Sequence, residues 1–223
     1  MPKPTLHFEL SSSHTIICGI DEAGRGPWAG PVSAAAVILD QAKIPQGLND
    51  SKKLTEAKRE ALFPEIMATS DVGIGLVSAQ EIDDINILQA TYLAMQRAIA
   101  NLKSKPTLAL IDGNRAPKLF CETQCIIGGD AKSLSIAAAS IIAKVTRDHI
   151  MHDLDRIFPQ YGFAKHKGYG TAQHAATLAK YGPCTEHRKS FKPIAALALL
   201  PLGEKVDRAP SRETDEGSGG LTF

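Results

Sequence analysis

The sequence predicts an α/β fold in which layers of helices cover a sheet. Short apolar runs, bounded by glycine and other turn residues, alternate along the chain with longer segments of helical periodicity. With 223 residues, of which 43% are apolar, the chain is long enough for one domain with a substantial core. Three of the apolar runs end in acidic residues, and α/β sheets carry their functional sites beyond the carboxyl ends of strands.

Five apolar runs predict the strands of this sheet. They are residues 15–21, 32–39, 71–79, 107–112 and 123–130. Each run is short and contains β-branched or small apolar residues, which is typical of buried strands. The first run and the last two share one design, an apolar stretch that ends in an acid.

The predicted helices have recognisable boundaries. Thr55 is the predicted N-cap of a helix over 55–68, although Lys58 stands where a capping box needs an acid or an amide. Residues 79–103 place apolar side chains three and four positions apart, which indicates an amphipathic helix. Residues 131–158 predict a long helix whose first half, rich in small residues, packs tightly on the sheet.

We expect one main domain with an appendage at each end. Residues 1–14 are predicted to be an N-terminal extension, and residues 15–200 the domain, whose part from about 161 to 200 is helical and basic. Residues 201–223 are polar and contain glycine, serine and proline, so we expect a disordered tail. Its end, GGLTF, is interpreted as a stray apolar tip, or as a short hydrophobic peptide that docks on a sliding clamp.

The predicted location is the cytoplasm. No apolar run reaches the roughly 20 residues of a membrane span, and the N-terminus lacks the apolar region of a secretory signal. We therefore expect a monomer without a membrane partner. The four cysteines are expected to be reduced and mostly buried, since Cys121 and Cys125 lack a second pair of zinc ligands.

Charge is distributed unevenly although the formal net charge is only +1. Between Tyr161 and Lys192 there are six Lys/Arg against one acid, a net charge of +5. Such a basic portion next to an acidic site suits a polyanion held near bound cations. A solvated basic surface is the alternative interpretation.

The acids at the strand ends predict a cation site. Asp21 and Glu22 end the first run, and Asp112 and Asp130 end the last two. Adjacent strand residues point to opposite faces, so Asp21 and Glu22 share a site only if the chain leaves strand geometry there. A single acid of this kind is commonly a loop solubiliser or a helix cap, and Asp130 could be the N-cap of the following helix.

Several converging carboxylates would repel one another unless hard divalent cations neutralise them. Two such cations about 3.5–4 Å apart form the site of many nucleases and polymerases. One cation activates water and the other stabilises the leaving oxygen.

Five segments, in this order, closely resemble the bacterial ribonuclease HII family, the type 2 ribonucleases H. They are GIDEAGRGPWAGPV, LNDSKKLT, LIDGN, GGDAKSLSIAAASIIAKVTRD and HKGYGT. The resemblance extends from about Cys18 to Phe191, and it implies a ribonuclease H-like fold with a mixed central sheet flanked by helices and a helical C-terminal portion. It also implies endonucleolytic cleavage of the RNA strand of RNA–DNA hybrids, and of single ribonucleotides embedded in duplex DNA, which leaves 5′-phosphate and 3′-hydroxyl ends.

The resemblance further assigns site residues to positions of this sequence. The catalytic acids, which would hold two Mg²⁺ or Mn²⁺ ions, are Asp21 (bridging both ions), Glu22, Asp112 and Asp130. The substrate-binding residues are the ribose-sensing Gly24, Arg25 and Gly26, the phosphate-contacting Ser51, Lys52 and Lys53, and the sugar-packing Tyr169.

Glycine in the sensing segment has a physical reason. The 2′-hydroxyl is the group that separates RNA from DNA at a given position. Backbone amides and carbonyls can reach it only where no Cβ blocks the approach. Arg25 between the glycines could contact a phosphate.

Other interpretations of the sequence have less support. His149, His152 and Asp153 have helical spacing suited to a metal, but surface polar residues are the favoured interpretation. GRGPWAG lacks the Gly-Lys-Ser/Thr ending of a phosphate-binding P-loop. A strand-transfer enzyme of the same superfamily would not need the Gly-Arg-Gly segment, and a non-catalytic hybrid-binding protein would not need the acids.

Overall fold

A five-stranded mixed sheet forms the centre of the molecule, and the computed structural model describes residues 3–198. The strands are β1 (Ile17–Ala23), β2 (Val32–Leu39), β3 (Ser70–Val77), β4 (Leu108–Asp112) and β5 (Glu122–Ile126). The helices are α1 (His7–Leu10), α2 (Glu56–Thr69), α3 (Ala79–Ala100), α4 (Leu134–Ile157), α5 (Phe163–His166), α6 (Ala172–Tyr181) and α7 (Lys192–Ala198). The predicted α/β class and mixed sheet are confirmed.

Strand direction brings three carboxyl ends to one edge of the sheet. The strand order is β3-β2-β1-β4-β5, in which β1 is antiparallel to β2 but parallel to β4, and β4 is parallel to β5. Ile20 lies opposite Ile111, so Asp21 and Asp112 follow side by side on adjacent strands. Asp112 in turn lies opposite Ile126, the last residue of β5.

Helices cover both faces of the sheet. Helix α3 packs on one face of the sheet, and the hydrophobic core between them contains Cys18, Ile20 and Ile111. Helices α2 and α4 pack on the other face, where Ala137, Ala138 and Ala139 of α4 are fully buried. The predicted tight packing of the small residues is therefore confirmed.

The end of β5 and the start of α4 differ from the sequence-based expectation, whereas the start of α2 agrees with it. Residues 123–130 do not form one strand-like unit, because β5 ends at Ile126 and Asp130 lies in a separate 3-10 turn, Gly129–Ala131. The N-cap of α4 is Ser133, whose side chain accepts from the Ile136 amide, so the interpretation of Asp130 as that cap is wrong. Thr55 does cap α2, since its side chain accepts from the Lys58 amide.

Helix α3 contains a kink that its periodicity does not reveal. Asn86 has φ 67° and ψ 162°, which interrupts the helix inside Ala79–Ala100. Its side-chain oxygen accepts from the amides of Leu88 and Gln89 and so caps the second segment. One turn earlier, Asp83 accepts from the Lys189 and Ser190 amides and ties α3 to the C-terminal portion.

The N-terminal segment packs against the start of α4. The buried Glu9 carboxylate accepts from the Ser133 hydroxyl at 2.6 Å and from the Ser135 amide at 3.1 Å. Thr5 exchanges backbone hydrogen bonds with Lys132 and Leu134. Within residues 3–198, every helix is too short or too polar to cross a bilayer. The predicted tail, 201–223, lies outside the described residues.

Candidate active site

Three carboxylates meet at the edge of the sheet where β1, β4 and β5 end. Asp21, Asp112 and Asp130 each offer an oxygen, and these oxygens lie within 4.8 Å of one another. Side chains alternate along a strand, so Asp21 and Asp112 lie on the α4 face because Ile20 and Ile111 lie on the α3 face. Asp130 joins them from the turn just before α4.

Electrostatics of this cluster favour cation binding. Burial, together with the neighbouring Glu22 and Asp112 carboxylates, raises the pKa of Asp21 well above its usual range. Burial and the Asp112 and Asp50 carboxylates raise the pKa of Asp130 to about 6. A hard divalent cation neutralises carboxylate oxygens that otherwise repel one another. These ligands therefore fit Mg²⁺ or Mn²⁺.

Glu22 stands next to the cluster rather than inside it. Strand β1 continues to Ala23, so the chain keeps strand geometry at both acids. The Glu22 carboxylate instead lies 3.3 Å from the Arg25 guanidinium. Burial raises the pKa of Glu22, and Arg25 opposes that rise.

A cleft of about 220 Å³ adjoins the acids and contains most of the predicted substrate-binding residues. Its lining consists of Asp21, Glu22, Ala23, Gly24, Arg25, Gly26, Ser51, Lys52, Lys144, Arg147 and Tyr169. Among predicted residues, Asp112 and Asp130 lie in the carboxylate cluster instead. Lys53 lines neither, and its ammonium lies 3.5 Å from the Asp50 carboxylate.

The loop between β2 and α2 is anchored to α4. The Ser51 amide donates to the Ser140 hydroxyl at 3.3 Å, and the Ser51 carbonyl accepts from Arg59 at 3.0 Å. Lys52 lines the cleft: burial lowers its pKa, but Asp21, Asp130, Asp50 and Asp112 together outweigh burial and the net shift is upward. Lys52 therefore places a positive charge beside the carboxylate cluster.

Two buried arginines hold the Gly-Arg-Gly segment, and sequence analysis missed their role. Arg188 donates to the carbonyls of Gly24 at 2.6 Å and Arg25 at 3.0 Å. Arg147 donates to the Ala29 and Pro31 carbonyls of the same loop. Arg188 belongs to the basic portion between Tyr161 and Lys192, but it is fully buried. That portion is therefore not in its entirety a surface that could bind phosphates.

The two glycines of the segment have different environments. Gly24 has φ +94°, and a Cβ there would lie 2.1 Å from Arg147 Nε, so only glycine fits. A Cβ on Gly26 would meet the Tyr169 ring at 3.6 Å, an ordinary contact. Gly26 thus faces the cleft, whereas Gly24 faces the arginines.

Tyr169 and Lys144 complete the cleft. The Tyr169 side chain lines the cleft and is 48% exposed. Lys144 lies 2.6 Å from the Asp148 carboxylate one helical turn away, and burial lowers its pKa. Lys144 was not predicted, because its spacing from Asp148 is that of any surface ion pair.

The remaining candidates do not form a metal site. His149 bonds to Glu60 at 2.9 Å, and His152 lies 2.7 Å from the Lys167 ammonium. Within residues 3–198, the aspartate cluster is the one group of three or more potential ligands close enough for a cation. All four cysteines are free, but Cys18 alone is buried, so the expectation that most of them are buried is wrong.

Known proteins share both the sequence and the fold. Residues 18–194 match the family model described as Ribonuclease HII. A ribonuclease HII from Parvibaculum lavamentivorans is 52% identical over 207 residues, which cover 92% of this chain and 77% of the relative.

Two solved structures resemble the present one at 27% identity. The ribonuclease H2 from Pyrococcus horikoshii OT3 has a TM-score of 0.69, with coverage of 82% of this chain and 97% of that one. A chain of the PCNA:RNase HII complex from Archaeoglobus fulgidus has a TM-score of 0.68, with coverage of 80% and 96%.

Proposed function

Since this chain belongs to the ribonuclease HII family, and is therefore a metal-dependent hydrolase that acts on RNA–DNA hybrids, we propose that it also cuts at single ribonucleotides embedded in duplex DNA. One observation carries the proposal: the carboxylate cluster adjoins a cleft that combines the exposed residues Arg25 and Gly26 with an exposed tyrosine. The first feature suits hydrolysis of a phosphodiester, and the second suits discrimination between two sugars.

The acids would hold two divalent cations, Mg²⁺ or Mn²⁺. Asp21 belongs to the cluster with Asp112 and Asp130 and precedes Glu22 in the chain, which supports the role of bridging ligand. Two bound cations would supply an activated water and stabilise the leaving 3′-oxygen, so that the products carry 5′-phosphate and 3′-hydroxyl ends.

Cationic side chains around the acids would hold the substrate backbone. Lys52, Lys144 and Arg25 all line the cleft, where each could pair with a phosphate oxygen. Ser51, buried and anchored to α4, fixes the backbone that carries Lys52. Lys53 would contact phosphates only outside the cleft.

Ribose selection would come from the glycine segment and the tyrosine together. Backbone groups of Gly26 can approach a 2′-hydroxyl because Gly26 is exposed and has no side chain of its own. The Tyr169 ring would pack on the next sugar, where deoxyribose fits and an added 2′-hydroxyl is crowded. Together, the glycine segment and Tyr169 would recognise the junction between a ribonucleotide and the deoxyribonucleotide that follows it.

We further propose a sliding clamp as protein partner, with the C-terminal GGLTF as the contact. The Archaeoglobus fulgidus relative was solved in a complex with PCNA, which supports this partner class. The peptide itself lies outside the described residues. A monomeric cytoplasmic enzyme remains our expectation.

Cleavage of three labelled duplexes tests the function. We expect Mg²⁺- or Mn²⁺-dependent cuts in a DNA duplex with one ribonucleotide and in a continuous hybrid, and none in all-DNA duplex. Binding without cleavage would support a hybrid-binding module instead. Cutting that ignores the ribose would support a strand-transfer enzyme.

Tyr169→Ala tests the junction-reading role. We expect cleavage at a single ribonucleotide to fall on the order of tenfold or more, because a contact made in the reactive complex contributes to turnover. Cleavage of continuous hybrid should fall less, since no junction is read there. Tyr169→Phe, which keeps the ring, is the control. Equal losses on both substrates would assign Tyr169 to packing.

A further inference from the structure

A chain of three buried histidines lies behind Tyr169, on the side away from the cleft. His166, His174 and His187 are all buried, and their rings adjoin one another. None of them lines the cleft or belongs to the carboxylate cluster. Three buried imidazoles are costly unless each ring nitrogen finds a partner, so their hydrogen bonds identify what they do.

The hydrogen-bond partners determine the tautomer of each ring. His174 Nδ1 lies 2.9 Å from the Tyr169 carbonyl, and a carbonyl only accepts, so Nδ1 carries the proton. His174 Nε2 is then an acceptor and receives the Nε2–H of His187 at 2.9 Å. The bare Nδ1 of His187 accepts from the Cys184 amide at 3.0 Å.

All partners in this arrangement require neutral rings. Burial lowers the pKa of His174, and burial together with His174 lowers the pKa of His187 to about 4. Both rings are therefore neutral near pH 7. The tautomers, and with them the directions of the hydrogen bonds, follow from the partners described above.

One end of the chain fixes the backbone at Tyr169. His174 holds the Tyr169 carbonyl, while His166 Nδ1 accepts from the Gly168 amide at 3.2 Å. The His166 carbonyl accepts from the Tyr169 amide at 2.9 Å. The exposed ring of Tyr169 thus stands on a backbone whose polar groups are held from the buried side.

The other end reaches the loop that carries the glycine segment. His187 forms a β-bridge with Ala29, and the Arg188 amide donates to the Trp28 carbonyl at 2.8 Å. The Arg188 guanidinium in turn binds the Gly24 and Arg25 carbonyls. Hydrogen bonds, with the peptide bond between His187 and Arg188, therefore connect Tyr169 to the segment that adjoins it across the cleft.

We propose that His174 and His187 are positioning residues that set the spacing between Tyr169 and the Gly24–Gly26 segment, and so determine selectivity for an RNA-to-DNA junction. The inference rests on the proposed function, because it deepens the roles assigned there to these two elements. Apolar side chains could fill the same volume. Directional hydrogen bonds add a defined position for Tyr169.

Two substitutions of His174 separate hydrogen bonding from packing. His174→Phe keeps a ring of similar shape but loses both bonds, and we expect single-ribonucleotide cleavage to fall about tenfold to a hundredfold, as for other misplaced positioning groups. His174→Asn places an amide N–H near the position of Nδ1 and should recover much of this loss. His149→Asn, on a half-exposed histidine of α4, is the matched control and should leave cleavage unchanged.

A double mutant tests whether His174 acts through Tyr169. In a Tyr169→Ala background, His174→Phe should cause little further loss, because the ring to be positioned is gone. Independent, multiplying losses would overturn the inference. So would equal losses of His174→Phe on single-ribonucleotide duplex and continuous hybrid.

Amide hydrogen exchange distinguishes this inference from the proposed function. The Thr171 amide donates to the same Tyr169 carbonyl that His174 holds, at 2.9 Å. His174→Phe should therefore accelerate exchange at Thr171, whatever substrate the enzyme prefers, and unchanged exchange there would overturn the inference. If wild-type protein fails to cut at a single ribonucleotide, the proposed function fails while the exchange result still stands. Should His174→Phe not fold, His187→Phe is expected to show the same pattern with a smaller loss, and an unchanged pattern would overturn the inference.

Discussion

At the scale of single residues, backbone donors hold the acids in place. Asp112 Oδ1 accepts from the Gly129 amide at 2.7 Å, and Asp21 Oδ1 accepts from the Glu22 amide at 2.7 Å. These bonds lock the side chains near the repulsive arrangement seen in the cluster. The folded protein therefore contains the repulsion among these carboxylates before a cation binds.

Asp112→Asn should abolish cleavage and leave the fold intact. The amide oxygen can still accept from Gly129, but a charged ligand of the cluster is lost. Without metal, thermal stability should hold or rise, because repulsion of Asp21 is relieved. Cleavage assays and thermal melts in chelator test this. Near-wild-type turnover would remove Asp112 from the site.

Alanine at the two glycines of the sensing segment should have opposite effects. Gly24→Ala should destabilise the protein by about 1–3 kcal/mol, because φ is positive and Arg147 occupies the Cβ position. Gly26→Ala should leave the melting temperature nearly unchanged but weaken discrimination between ribose and deoxyribose. Melts, together with affinities for single-ribonucleotide and all-DNA duplexes at one salt concentration, give the comparison. Equal affinity losses for Gly26→Ala would contradict ribose sensing.

Predictability from sequence differed among residues for a physical reason. The roles of Asp21 and Asp112 can be predicted because an acid that ends an apolar run has a defined place at a sheet edge. The role of Arg188 cannot, since it lies in a basic stretch where nothing local distinguishes a buried guanidinium from an exposed one. Its partners are backbone carbonyls more than 150 residues away along the chain.

At the scale of elements, caps and kinks decide where helices lie relative to the site. Ser133 starts α4 three residues after Asp130, which leaves that carboxylate in a turn where it can join the cluster. Periodicity located α3 and α4 within a few residues, but it could not reveal the kink in α3. The kink depends on a single side chain that competes with helical hydrogen bonding.

Asn86→Ala should destabilise the protein by about 1–3 kcal/mol without changing selectivity. The substitution removes the cap on Leu88 and Gln89 and places a Cβ-bearing residue without local compensation at φ 67°. Asn86→Gly loses the cap but relieves the backbone, so its cost should be smaller. Denaturant unfolding measures both. If alanine is tolerated better than glycine, strain at Asn86 is not significant.

At the scale of the whole molecule, topology assembles the site from distant segments. The mixed order of the sheet was implied by family resemblance, since apolar runs alone do not state strand direction. Asp112 and Asp130 lie 91 and 109 residues after Asp21 in the sequence (21 to 112, 21 to 130). Parallel pairing of β1, β4 and β5 brings the three acids into one cluster. The repulsion within that cluster should be visible in global stability.

Asp130→Asn should stabilise metal-free protein relative to wild type at pH 7.5, and the difference should close at lower pH. The pKa of Asp130 is about 6 in the folded state and near 4 when unfolded, so folded protein binds more protons between these values. The stability that protonated Asp130 gives the wild-type protein is therefore lost as pH rises through about 6. The low pKa of His187 acts in the opposite direction, but both proteins share it. Melts in chelator test this, and a gap independent of pH would contradict it.

The two arginines that hold the Gly-Arg-Gly loop have a consequence for biosynthesis. Ribosomes make proteins from the N-terminus, so all four acids exist once residue 130 has been added, whereas Arg188 follows 58 residues later (130 to 188). At roughly 5–20 residues per second, that interval lasts about 3–12 s. A growing chain acquires the groups for cutting before it acquires the donors that shape its sensor. The groups for selectivity are therefore complete only after the groups for cutting.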